Sequence, residues 1–278
     1  MRVIVTRPAR QAASWVLRLH EAGLDAVALP LIDIVGADDP SAVTAAWQTL
    51  SRHRLVVFVS PNAAQAFFDL APAHVPWPHA LPAASPGPGT TALLQDLGLP
   101  GDRIIEPAAD AAQFDSETLW QQLRRHDWRG ASVLVVRGAG GRDWLTQQLR
   151  EAGAQVEHLA AYRRAVPVLD APQRRTLETA MAAPARHLWL FSSSEAVDTL
   201  QGMAAGLPDT QPVAHADAVA PAAADGIARR GLAPWSTARA LATHPRIAAR
   251  AQQCGFGSVH ECRPTLAAVV ACIQSLRP

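Results

Sequence analysis

"VIVTRPARQAASWVLRLHEAGLDAVALPLI", residues 3–32, can be laid over "VLVVRGAGGRDWLTQQLREAGAQVEHLAAY", residues 133–162, without a gap. Arg7 then meets Arg137, Leu19 meets Leu149, and Glu21-Ala22-Gly23 meets Glu151-Ala152-Gly153. In the first copy a β-branched run leads into an amphipathic stretch, "QAASWVLRLHEAGL". The stretch closes on a glycine, as helix C-termini commonly do, and a second strand follows. One strand-helix-strand unit is therefore used twice. Two more pieces repeat. Phe58 and Ser60 of "FVSPNAAQAF" match Phe191 and Ser193 of "FSSSEAVDTL", and "SPGPGTTALLQDLG" at 85–98 matches "ATHPRIAARAQQCG" at 242–255. Three matching pieces predict two similar domains.

Strands are expected at 3–6, 26–31, 55–59, 80–84, 103–105, 133–136, 156–159, 188–191, 238–242 and 258–261. Short strands alternating with amphipathic helices imply an α/β fold with parallel sheets covered on both faces. A plain tandem duplication would cut the chain near residue 130. However, "PLIDIVGA" at 30–37 and "HLAAYRRAV" at 158–166 read as two extended crossings. They suggest one domain from 1–34 plus 167–278, a second inserted at 38–157, and a two-stranded linker made of 30–37 and 158–166.

The chain has 278 residues, half of them hydrophobic, which is enough for two ordinary cores. Its 25 basic and 24 acidic residues leave a formal charge of +1, with no block of either sign. That gives no support to nucleic-acid or membrane-surface binding. All the basic residues are arginine, which genome-wide codon bias explains about as well as selection for forked carboxylate contacts. Cys254, Cys262 and Cys272 are odd in number and lack C-x-x-C spacing, which fits a reduced, cytosolic setting. "MRVIVTRPAR" enters a strand at once, and no apolar run approaches the ~18 residues of a membrane span. A cytoplasmic protein is the expectation, and a monomer.

In parallel α/β sheets, ligands sit beyond the strand C-termini, where helix N-termini offer unpaired N–H groups and positive partial charge. Every marked motif falls there: Thr6-Arg7, Ser60-Pro61-Asn62, and the segments 87–91, 137–141, 192–195 and 243–246. For each hydroxyl taken alone, a plain helix cap is the stronger explanation. Six such ends, three of them carrying arginine and two carrying glycines, favour an anion-binding cleft between the domains. The usual cofactor signatures are missing: "GPGTTALLQDLG" is not G-x-G-x-x-G, and a lysine-free chain has no Walker lysine. The ten histidines show no metal-ligand spacing and "FSSSEAV" no nucleophile elbow, so no metal, nucleotide cofactor or serine-hydrolase chemistry is expected. Tyr162, the single tyrosine, falls in the second crossing beside Arg163 and Arg164. It could donate a proton into the cleft or simply pack against the hinge.

The order and spacing of "VIVTRP", "PLIDI", "VVFVSPNAAQAF", "GPGTTALLQDLG", "LVVRGAGGRDWLTQQLREAGAQVEHLAAYRR", "LWLFSSSEAV" and "ALATHPRIAARAQQCGFGSV" resemble the uroporphyrinogen-III synthase family over nearly the whole chain. The resemblance implies two flavodoxin-like or Rossmann-like domains joined by a two-stranded ladder, a cleft active site and no cofactor. The family takes linear hydroxymethylbilane, removes its terminal hydroxyl as water, and closes the ring through a spiro intermediate with the last pyrrole inverted. By resemblance Tyr162 is the proton donor to the leaving hydroxyl, and Ser60, Thr90 and Ser193 are the strand-end hydroxyls. Arg7 and Arg137 are candidate carboxylate contacts. "ATHPRIA" at 242–248 departs from the family pattern by placing Arg246 and Ile247 at threonine positions, leaving Thr243 and Arg246 as candidates. On this basis Tyr162→Phe should slow turnover several-fold or more, and Ser60→Ala should matter less. The segment 203–235, rich in alanine and proline, reads as a surface insertion with room for a short helix and has no catalytic role. The rival readings are a non-enzymatic two-domain binder of a small anion, which uses the same helix ends, and a glycosyltransferase, which lacks a nucleotide-sugar motif.

Overall fold

A computed structural model describes residues 1–205 and 235–276. The insertion expected at 203–235 lies, for its residues 206–234, outside the described residues. The chain divides into two compact units, Met1–Ile32 with Val166–Pro278, and Asp33–Ala165. The first unit opens with β1 (Arg2–Val5), α1 (Ala9–Glu21) and β2 (Ala26–Ala28). The second contains β3 (Asp33–Gly36), α2 (Pro40–Thr49), β4 (Leu55–Phe58), α3 (Pro61–Asp69), β5 (Ala83–Ala84), α4 (Pro88–Asp96) and β6 (Ile104–Ile105). It ends with α5 (Ser116–Leu123), β7 (Ser132–Gly138), α6 (Trp144–Glu151) and the long β8 (Gln155–Ala165). The chain then completes the first unit with α7 (Ala171–Ala182), β9 (His187–Phe191), α8 (Ser194–Ala205), β10 (Arg239–Ala242), α9 (Pro245–Gln253), β11 (Ser258–Glu261) and α10 (Leu266–Ser275).

The first unit's sheet runs β11-β10-β9-β1-β2 and the second's β3-β8-β7-β4-β5-β6. All pairings are parallel except β3 with β8. Numbered along the chain, the first sheet has the flavodoxin order 2-1-3-4-5. The second has the same order once β7 is taken as its first strand, followed by β8, β4, β5 and β6. The two units are thus circular permutations of one pattern, with β1-α1-β2 equivalent to β7-α6-β8. The residues align for that reason. Even the helix ends coincide: Gly23, Gly98, Gly153 and Gly255 all have positive φ. At α1 the bonds Gly23 N–H to His20 C=O and Leu24 N–H to Leu19 C=O form the two-bond Schellman cap. The bonds Gly153 to Arg150 and Ala154 to Leu149 repeat it after α6.

The central strands are buried on both faces. Val56 and Phe58 of β4 face a cluster with Trp47, Phe67 and Leu94, whereas Leu55 and Val57 face Leu119, Leu123 and Leu149. In the first unit Leu188 and Leu190 pack with Leu19, Val269 and Ile273. Trp189 and Phe191 on the other face join Trp235 and Phe256, which stack at 5.1 Å. Side chains buried on both faces pin the central strands, which fixes the loops at their ends. The expected strand 26–31 stops at Ala28 because Pro30 has no N–H to continue the ladder. Leu29 and Leu31 still bond to Val5 and Thr6. The expected strand 156–159 continues instead to Ala165, because beyond the parallel sheet it acquires an antiparallel partner, with Gly36 opposite Tyr162 and Asp33 opposite Ala165.

Candidate functional site

The order 2-1-3-4-5 reverses direction between its first and third strands, and ligands bind beyond the C-terminal ends at that point. In the second unit these strands are β7 and β4. Ser60, directly after β4, caps α3 by accepting the Ala63 N–H at 3.2 Å. Its hydroxyl also lies 3.2 Å from the Tyr162 hydroxyl. A register shift explains why tyrosine stands there. Arg137 of β7 pairs with Ala160 of β8, but Gly138 pairs with Tyr162, so β8 carries one extra residue at this step. Such bulges re-aim side chains, and here the phenol is laid over Gly138. A methyl group at 138 would stand 2.9 Å from the ring carbon Cζ. Tyr162 is 1% exposed and belongs to the core around Phe58 and Phe67. Arg164 lies two residues on, on the same face of the strand, and its guanidinium donates to the Tyr162 oxygen at 3.4 Å. The intervening Arg163 pairs with Asp38.

Arg137 is nearly buried, and its guanidinium is committed to its own loop through the Asp143 carboxylate and the Gly140 carbonyl. That bond, with the attraction behind it, holds the Asp143 carboxyl below the usual range. His158 is pushed down by burial and then by Arg137, and its Nε2 lies 2.7 Å from Thr146 Oγ1. Thr90 is buried in the first turn of α4 behind Gly87, whose missing side chain makes room for Phe114. The adjacent Thr91 is tied into an internal chain, 2.7 Å from Ser85 Oγ and donating to Glu106 at 2.6 Å.

In the first unit the reversal falls between β1 and β9. Thr6 binds the two together, its hydroxyl donating to the Leu190 carbonyl at 2.8 Å. Arg7 follows, with Cζ 4.2 Å over the Trp15 ring. One of its N–H groups reaches Gln11 at 3.4 Å, and its buried Nε has no hydrogen-bond partner among the described residues. Burial pulls this guanidinium down to about 10, opposed by the Cys262 thiol, with no carboxylate beside it among the described residues. Ser193 accepts the Glu195 N–H at 3.2 Å at the start of α8. Thr243 is buried at the end of β10, and His244 caps α9 by accepting the Arg246 N–H through Nδ1. Arg246 is exposed and Ile247 turns into the core. Where the family pattern has hydroxyls, an imidazole does the capping.

The structure therefore brings Ser60 and Tyr162 into contact, ties Arg137 inward, and leaves Arg7 with an unused donor. Sequence reasoning missed Asp143, Gly138 and the role of Arg164. The i, i+2 spacing of Tyr162 and Arg164 was the available signal for the last. Among the described residues no group of three or more His, Cys, Asp or Glu side chains is placed to hold a metal, and no helix is long and apolar enough to cross a membrane.

The family model described as uroporphyrinogen-III synthase HemD matches residues 13–271. The chain belongs to the uroporphyrinogen-III synthase family. It is 30% identical over 176 residues to the uroporphyrinogen-III synthase of Salmonella typhimurium, which covers 61% of this chain and 68% of that protein. It is 28% identical over 165 residues to that of Proteus mirabilis, 59% of this chain and 80% of the relative. The solved uroporphyrinogen-III synthetase of Helicobacter pylori superposes with a TM-score of 0.56 at 15% identity, covering 100% of both chains. A Thermus thermophilus uroporphyrinogen III synthase mutant gives 0.55 at 16%, covering 99% of this chain and 96% of its own. These structures share the two-domain α/β fold of the family.

Proposed function

We infer that the chain cyclises hydroxymethylbilane to uroporphyrinogen III, losing water and inverting the last ring through a spiro intermediate. The observation that carries this reading is the family match, which runs through both units and includes the strand ends at 60, 137, 162, 193 and 243. The bilane carries acetate and propionate carboxylates on each pyrrole. A half-buried arginine with no carboxylate beside it among the described residues is suited to such a group, since charge-assisted bonds are the strong ones. Arg7 is accordingly the principal carboxylate anchor, with Ser60, Thr90, Ser193, Thr243 and Arg246 as further contacts. Arg137 would have to exchange Asp143 for substrate, so it ranks behind Arg7. Tyr162 is the source of the proton for the departing hydroxyl. Much of the remaining task is orientation, worth as much as ~7–11 kcal/mol in favourable systems.

The functional division we propose is 1–34 with 167–278, 38–157, and the linker pair 30–37 and 158–166. We also propose a cytoplasmic monomer, a setting that suits free Cys254, Cys262 and Cys272. The deciding experiment supplies freshly generated hydroxymethylbilane to the purified chain, oxidises the products and separates the isomers by chromatography. Predominant III isomer supports the reading. Only the spontaneous I isomer, at the no-enzyme rate from folded protein, overturns it.

A further inference from the structure

Tyr162 is 1% exposed, its ring is built into the core, and its oxygen lies behind that of the half-exposed Ser60. A phenol so placed does not itself reach a substrate at the strand ends. The hydrogen bonds around the two oxygens decide which way the protons point. Arg164 donates to the Tyr162 oxygen and the Ala63 N–H donates to Ser60 Oγ, so each hydroxyl oxygen already accepts one bond from the protein. If Ser60 donated to Tyr162, the phenolic proton would have no acceptor among the described residues, in a site sealed from water. An unmade bond in such a place is costly. If Tyr162 donates to Ser60, both oxygens are satisfied and the Ser60 proton turns toward the open end of the sheet. The chain of donors then runs one way, from Arg164 to Tyr162 to Ser60.

We propose that Ser60 is the catalytic hydroxyl that hands the proton to the leaving group, with Tyr162 as its proton reservoir and Arg164 as a positioning residue. This assignment rests on the cyclisation reading given above. As the carbon–oxygen bond of the terminal hydroxymethyl group breaks, its electron pair leaves on oxygen, pushed by the neighbouring pyrrole nitrogen. The Ser60 proton joins that oxygen and water departs. Ser60 takes the Tyr162 proton in the same motion, and the phenolate faces the Arg164 guanidinium. Ring closure later releases one proton from the pyrrole carbon that forms the final bond. The same chain run backwards returns that proton to Tyr162, so water is the single by-product.

The capping role of Ser60 provides the control. Asparagine and threonine both cap helices, but threonine alone keeps a hydroxyl that accepts one proton while giving up another. Ser60→Thr should retain turnover within a few-fold of wild type. Contrary to the sequence-based expectation that Ser60 matters less than Tyr162, Ser60→Asn should lose on the order of a hundredfold in kcat, the scale of a general acid, with KM little changed and the melting temperature preserved. Tyr162→Phe should lose about as much, and the double variant Ser60→Asn with Tyr162→Phe no more than either single one. Arg164→Gln should lower kcat with KM unchanged. The wild-type solvent isotope effect on kcat should fall in Ser60→Asn. If the wild type makes no III isomer, the function reading fails, and this assignment with it. If the wild type makes it and Ser60→Asn matches Ser60→Thr, Ser60 is a cap alone. If the two losses multiply in the double variant, the hydroxyls act separately. Either of these last two results overturns the relay while leaving the cyclisation intact.

Discussion

Replacing Arg7 by methionine should make the protein more stable and a worse enzyme. The guanidinium is held at about 10 by burial, well below the value of a free arginine, a difference worth about 3 kcal/mol. The sign follows from which state prefers the neutral form. The folded state does, so at every pH below 10 the group is charged in both states and the full penalty falls on the folded one. The penalty shrinks only as pH rises through 10. The face of Trp15, 4.2 Å from Cζ, returns roughly 1–2 kcal/mol of it, and methionine keeps an unbranched apolar stem against that ring. The net expectation is a gain of about 1–2 kcal/mol, or about 2–6 °C in melting temperature for a protein of this size. Against the bilane, loss of a charge-assisted bond worth about 1.5–3 kcal/mol should raise KM by roughly 10–100-fold. Thermal melting and steady-state formation of the III isomer measure the two effects on one preparation. A melting temperature that falls by several degrees would mean that the guanidinium is satisfied where it lies. An unchanged KM in a folded variant would remove Arg7 from substrate binding.

Gly138→Ala sets a methyl group 2.9 Å from Tyr162 Cζ, so the ring must move away from Ser60. Turnover should fall at least as far as in Tyr162→Phe, at a stability cost of about 1–3 kcal/mol; wild-type turnover and melting would show that the bulge has slack. Gly257→Ala places its methyl 1.9 Å from the Ser236 carbonyl oxygen, which is backbone and cannot swing aside. The expected result is a protein that expresses poorly or melts far below wild type, and near-normal melting contradicts the packing at the foot of β11. The Asp143 carboxyl, held low in the folded state by Arg137, contributes stability at pH above its unfolded value. That contribution is lost as pH falls through the folded one. Hydrogen-exchange protection factors at residues 138–142, taken against the intrinsic rate at each pH, should therefore fall in acid, and Asp143→Asn should lower them already at neutral pH; equal protection in both proteins would disconnect the pair from the loop.

The parallel sheets, the duplicated unit and the strand-end positions were legible because they rest on local chemistry: β-branched runs, closing glycines and capping hydroxyls. The quoted alignment of residues 3–32 with 133–162 pairs strands that prove equivalent in the sheet order. What local chemistry does not carry is which groups the folded loops and strands make into partners. Arg7 and Arg137 are the same residue in the same motif, yet Asp143 occupies one and, among the described residues, no carboxylate occupies the other. Aspartate six residues along the second loop was visible, but whether it folds back on the arginine depends on Gly140 and Gly141 adopting positive φ. Tyr162 was singled out as unique, whereas its depth in the core depends on one extra residue in β8 that no periodicity reveals.

Those differences have a common direction. In the second unit Tyr162 backs Ser60; in the first, the residue aligned with Tyr162 is Ile32, 5% exposed, so Ser193 has no phenol in the equivalent place. Conversely the first unit keeps an arginine with an unused donor where the second has neutralised its own with Asp143. A reaction that needs one proton delivered to one leaving hydroxyl, on a substrate covered with carboxylates, has no use for two identical sites. The proposed proton relay lies in the second unit, and the arginine without a carboxylate partner among the described residues lies in the first. Exchanging the features separately tests that division of labour. Ile32→Tyr should add no activity, since β2 ends at Ala28 without the bulge that aims Tyr162. Asp143→Asn, by freeing a second cation, should lower KM for the bilane while leaving kcat unchanged. If KM stays constant and kcat falls instead, Arg137 serves the chemistry through its loop, and the separation of charge from proton transfer is wrong.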